Sequence, residues 1–179
     1  MNIPNLLTIL RIFLVPIYLL IFFSDLENRF FLAGLVFILA GISDVLDGSI
    51  ARKYNLITKL GIVLDPIADK MMIFAVLISY TIEKIIPSWI LIAIGVKEIV
   101  MILGGGILYL YKGKQVVPSN IYGKTATVSF YAATLSIVFK ISTKLSEVLF
   151  IITVILNILA FINYLKIYIS KRNNIEEIS

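Results

Sequence analysis

Six apolar stretches, at about 6–23, 30–51, 59–81, 86–111, 121–140 and 145–169, alternate with short polar breaks along this chain. Each is long enough for a helix to cross a bilayer, which takes roughly 17–25 residues. The fifth is the weakest, because it opens on Gly123-Lys124 and is rich in Ser and Thr. The sixth is long enough to tilt or to run past the membrane. The polar tail from Lys171 to Ser179 is expected to fray. The pattern predicts an all-α, polytopic membrane protein with six transmembrane helices, forming one domain over residues 1–179. No basic stretch precedes the run that starts at Leu6, and no small-residue cleavage site follows Phe23. The first segment is therefore expected to be a retained helix and not a secretory signal.

Composition sharpens this picture. Apolar residues make up 60% of the 179 positions and the mean hydropathy is +1.01, too little polar surface for a water-soluble globule of this size. Cysteine and histidine are both absent. Disulfides, thiol nucleophiles, imidazole bases and ordinary zinc ligation are excluded together. Chemistry must rest on carboxylates, Lys, Arg, hydroxyls and hard metal ions that prefer oxygen. The net charge of +5 sits in short breaks between apolar runs, so it reads as topology and contact with anionic membrane lipids, not as a nucleic-acid surface. With both termini cytoplasmic, inner segments hold ten Lys or Arg and outer loops hold four: Arg29, Lys84, Lys140 and Lys144. That imbalance places the break between the second and third stretches in the cytoplasm.

Four of the five aspartates, Asp44, Asp47, Asp65 and Asp69, flank that break. One acid at the centre of a lipid-embedded helix costs roughly 2.5–3.5 kcal/mol, so four would cost on the order of 10 kcal/mol unless neutralised. Spacings of three and four put each pair on one helical face. Asp47 and Asp65 lie about 8 and 10 Å from their helix ends, which matches their levels in an antiparallel hairpin. Converging carboxylates of one sign call for cations, and two divalent ions roughly 3.5–4 Å apart suit displacement at phosphorus. Gly48 leaves room for a ligand near the backbone, Ala51 keeps that wall open, and Arg52 offers a planar fork for phosphate. Gly61 would let the helices pack closely. Helix-end salt bridges to Arg52, Lys53 or Lys59 would leave Asp44 and Asp69 unexplained, since both lie too deep for those partners.

The run Asp44-x2-Asp47-Gly48-x2-Ala51-Arg52-x8-Gly61-x3-Asp65-x3-Asp69 resembles the signature of the CDP-alcohol phosphatidyltransferases at every fixed position. The six-helix pattern is similar to that family over nearly the whole chain. The resemblance implies that the four aspartates hold two Mg²⁺ or Mn²⁺ ions in a cytoplasm-facing cavity, and that Asp69 is also the catalytic base. It implies that Gly48, Arg52 and Thr58 contact the CDP-linked lipid. The reaction implied is attack of an alcohol on the lipid-side phosphorus of CDP-diacylglycerol, with release of CMP. A homodimer in the bacterial plasma membrane is implied in the same way.

The opening from Asn2 to Arg11 and the run from Ser43 to Lys70 resemble bacterial members that form phosphatidylglycerophosphate. In them the positions of Asn5 and Thr8 line the nucleotide end of the site. Physically, Asn5, Thr8 and Arg11 share a helical face suited to donating to a base or phosphate. An N-cap by Asn2 or Asn5 with a snorkelling Arg11 is the alternative. The acceptor expected is sn-glycerol 3-phosphate, a small alcohol phosphate whose charge needs cations. Lys97, Lys124 and Lys70 are the candidates. Lys97-Glu98 departs from the Arg-acid pair usual in these relatives, and Lys lacks the bidentate fork. A structural pair with Glu98 is the other reading of Lys97, and a topology marker is that of Lys124. Gly104-Gly105-Gly106 is expected to serve helix packing or distortion, and Asn157 and Asn163 to bond across helices, a dimer contact being one place for it. Cardiolipin synthesis, with phosphatidylglycerol as acceptor, is the alternative within the superfamily. A divalent-cation transporter is the alternative outside it, although the acids lie toward one side and the second half carries no copy.

Overall fold

The computed structural model describes the backbone of residues 3–54, 59–111 and 121–176, with side chains described except at 3, 52, 59–63, 65, 66, 102–111 and 167–176. Among the described residues the fold is entirely helical: α1 (Ile3–Phe22), α2 (Arg29–Tyr54), α3 (Lys59–Ile82), α4 (Ser88–Tyr111), α5 (Ile121–Val138) and α6 (Thr143–Glu176). Each expected stretch is a helix within a few residues of its expected ends, except that α6 continues to Glu176. The three glycines at 104–106 stay inside α4 and form no loop. Among the described residues, three helices are long and apolar enough to cross a membrane, over Pro4–Phe22, Arg29–Ala51 and Thr143–Lys166.

Inside and outside are inverted relative to a water-soluble protein. Leu20 and Val128 are 75% and 69% exposed, whereas Thr8, Arg11, Ser79 and Thr153 are buried. An apolar exterior of this extent needs a hydrocarbon solvent, and the polar groups collect where helices can satisfy them. Many hydroxyls do so within their own helix. Thr8 donates to the Pro4 carbonyl at 3.1 Å, Ser43 to Leu39 at 2.8 Å and Thr81 to Leu77 at 2.7 Å. Bonding back one turn makes a polar side chain affordable in an apolar setting.

The chain forms two compact units, Met1–Ile86 and Pro87–Ser179. In the first, α1 packs along both α2 and α3, which touch each other more sparingly. Tyr18, Phe22, Phe37, Met72, Val76 and Leu77 fill its core. At one end the Phe22 ring stacks on Tyr18, with centroids 5.6 Å apart, and meets Phe30 edge-on at 5.2 Å. Arg29 closes that end. It bonds the Phe22 carbonyl at 3.4 Å, pairs with Glu83 at 3.1 Å and lies 4.7 Å above the Phe30 ring. Lys84, at φ 56°, then ends α3 in the left-handed region, with the Ile85 amide returning to the Tyr80 carbonyl at 2.8 Å.

In the second unit α6 packs closely on α5 and less extensively on α4. Phe130 meets Phe150 edge-on at 6.2 Å, and hydroxyls bridge the same helix pair. Ser136 and Ser146 are 2.7 Å apart, and Thr153 donates to Ser129 at 2.8 Å. Asn157 donates to the Thr153 carbonyl one turn back at 2.9 Å.

Candidate active site

Away from the aromatic knot, the first unit carries a second group of charges, Arg11 with Asp44 and Asp47. Asp44 and Asp47 are one turn apart on α2, so they share a face, and that face meets α1. Arg11 of α1, only 1% exposed, reaches between them. Its Nη1 is 2.5 Å from Asp44 Oδ1, and its Nη2 donates to Asp47 Oδ2. Asp47 is buried at 4% exposure, whereas the Asp44 side chain is 43% exposed. One acid is thus enclosed and its neighbour opens outward. Arg11 Nε makes no hydrogen bond to any described group.

This bridge corrects one sequence expectation for Arg11: it is buried against two carboxylates and does not snorkel to the surface. The aspartates supply the reason, because a buried guanidinium in apolar surroundings needs carboxylate partners more than it needs water at a distance. The pairing spans 36 residues, so no local pattern announces it. A lone Arg within an apolar run was nevertheless a signal that some other helix must hold its counter-ion.

The other expected residues are distributed as follows. Thr8 is buried one turn before Arg11, and Asn5 is half-buried on the same helix. Asn5 lies within the first turn of α1, not ahead of it, so it is not the N-cap. Gly48 follows Asp47 on α2 and is half-buried. Asp69, on α3 next to the fully buried Ala68, lies 3.3 Å from the Lys70 ammonium with its side chain 24% exposed. Thr58 and the side chains of Arg52 and Asp65 lie outside the described residues, as does that of Gly61. Among the described residues no three acidic groups gather at metal-holding distance. In the second unit, Lys97 pairs with Glu98 at 2.7 Å, with side chains 12% and 7% exposed. Lys124 is exposed in the first turn of α5.

The donor set suits a hard divalent ion. Asp44 and Asp47 present oxygens to one point on the helix face, and that point is occupied by a cationic group, the Arg11 guanidinium. Oxygen-only ligands without His or Cys favour Mg²⁺ or Mn²⁺ over zinc or copper.

A helical body with an apolar exterior, in which one buried cation bridges two acids, is a membrane protein with a charged site. Residues 1–159 match the family described as CDP-alcohol phosphatidyltransferase. A CDP-diacylglycerol–glycerol-3-phosphate 3-phosphatidyltransferase of Aquifex aeolicus is 36% identical over 174 residues, covering 92% of this chain and 94% of that one. A protein of the same name from Haemophilus influenzae is 39% identical over 105 residues, covering 56% of this chain and 55% of that one. A CMP-forming cardiolipin synthase of Streptomyces coelicolor is 35% identical over 139 residues, covering 74% and 63%. The chain belongs to the CDP-alcohol phosphatidyltransferase family, and is a transferase of phospholipid biosynthesis.

Proposed function

We propose that this enzyme transfers a phosphatidyl group from CDP-diacylglycerol to sn-glycerol 3-phosphate, releasing CMP and forming phosphatidylglycerophosphate. The observation that carries the chemistry is the convergence of Asp44 and Asp47 on one buried cationic group. The choice of acceptor rests on the similarity to the Aquifex protein, which extends over 92% of this chain. Asp44, Asp47, Asp65 and Asp69 would hold two Mg²⁺ or Mn²⁺ ions. When bound, such ions offset pyrophosphate charge and polarise the reacting phosphorus.

The chain's own residues do the rest. Asp69 accepts the proton of the acceptor hydroxyl, whose oxygen bonds to the lipid-side phosphorus. The bond from that phosphorus to the bridging oxygen breaks, and CMP leaves with that oxygen. Asn5 and Thr8 offer polar contacts to the nucleotide, Gly48 lets the CDP-lipid approach the α2 backbone, and Arg52 and Thr58 contact its phosphates. Lys97 and Lys124 are the cations for the acceptor phosphate. We place the enzyme in the bacterial plasma membrane with six spans, acting as one homodimeric catalytic domain that faces the cytoplasm.

Purified protein supplied with CDP-diacylglycerol and a panel of alcohols tests the reading by nucleotide release. The expected result is CMP release with sn-glycerol 3-phosphate and little with phosphatidylglycerol. The 35% identity to a cardiolipin synthase motivates the second arm, and a reversed preference would replace the first reading with that one. Lys97→Ala is expected to raise the glycerol 3-phosphate requirement at least about tenfold, or roughly 1.4 kcal/mol. An unchanged requirement would assign Lys97 to its Glu98 pair alone.

A further inference from the structure

Arg11 is the charged group that the proposed reaction leaves without a role. It is buried and cationic, and it bridges two acids assigned to divalent ions. Its contacts are not those of an optimised structural salt bridge. The guanidinium spends one Nη on each carboxylate in place of a side-on bidentate pair, and Nε has no partner among the described groups. The arrangement offsets part of the charge of two acids on one helix face and leaves a donor unspent.

We propose that Arg11 is a built-in counter-cation of the carboxylate cluster, which holds Asp44 and Asp47 together without metal and competes with divalent ions for their oxygens. This rests on the reading of those aspartates as metal ligands. Asp44 Oδ1 and Asp47 Oδ2 are engaged by the guanidinium, and an arriving ion meets a positive charge at the same place. Either the guanidinium withdraws or the ion binds beside a like charge, and both weaken ion binding. The competition is decided by ion concentration. The benefit falls on the metal-free protein, where buried Asp47 would otherwise stand uncompensated beside the like charge of Asp44.

The test uses the full chain in detergent micelles, with Mn²⁺ binding followed by paramagnetic resonance of the free ion and thermal unfolding followed with and without EDTA. For Arg11→Gln the Mn²⁺ Kd should fall at least tenfold, about 1.4 kcal/mol tighter. Its metal-free Tm should fall, and saturating Mn²⁺ should recover more of the loss than it adds to the wild type. Arg11→Lys keeps the charge without the two-armed reach and should bind Mn²⁺ with intermediate affinity. Unchanged or weaker Mn²⁺ binding in Arg11→Gln overturns the proposal while leaving the metal site standing. Where Arg11→Gln does not fold, Arg11→Lys decides, and affinity no tighter than wild type overturns it. A wild-type protein that binds no Mn²⁺ would sink both this proposal and the metal reading beneath it.

Discussion

Asp69→Asn should abolish CMP release from CDP-diacylglycerol while the protein stays folded and still binds divalent ions. The substitution keeps the size of the side chain and one oxygen, so the packing of α3 at the buried Ala68 should survive, and ion binding at the proposed site with it. It removes the capacity to take a proton from the acceptor hydroxyl. General-base catalysis is worth roughly 10²–10⁴-fold, and the expected loss is at the upper end because no His or Cys exists in this chain to substitute. Lys70, 3.3 Å away, is a poor replacement, since an ammonium has no lone pair to receive the proton. Nucleotide release should be measured beside Mn²⁺ binding and a melting curve on the same preparation. Retained turnover would remove Asp69 as the base, and lost ion binding would recast it as a ligand only.

Chelation should have an equally large effect. EDTA is expected to stop turnover, and Mg²⁺ or Mn²⁺ added in excess should restore it. Metal assistance at phosphorus supplies several kcal/mol of transition-state stabilisation, so the expected fall is about a thousandfold or more. Arg11 already neutralises part of the Asp44–Asp47 charge, yet it cannot stand in catalytically. It is held on the acids and carries one positive charge where two divalent ions carry four. The chelated protein should therefore remain folded and inactive, a combination that separates loss of chemistry from loss of structure. Turnover unaffected by EDTA would exclude the two-ion mechanism.

Most of the fold was legible along the chain. Helices in a membrane protein must satisfy their own backbone groups, so an apolar run of sufficient length leaves few alternatives to a helix. For that reason the six stretches and the six helices agree closely in their limits. The aspartate pairs were legible for a related reason: spacings of three and four translate directly into a shared face, and acids are costly enough in lipid to stand out. Asn157 shows where such reasoning falls short. A polar residue in an apolar helix announces that it needs a partner, but not whether the partner is across an interface or one turn back.

Linear order was enough to establish a helical membrane transferase signature and the positions of its acids, because helix periodicity and hydropathy are local properties. Position in three dimensions was needed to learn which cation faces those acids. Arg11 and Asp47 are separated by 36 residues, and their meeting depends on how α1 lies against α2. No spacing rule carries that information. It belongs to the packing of α1 against α2, which also brings the Phe22 ring edge-on to Phe30 at the far end of the same helices.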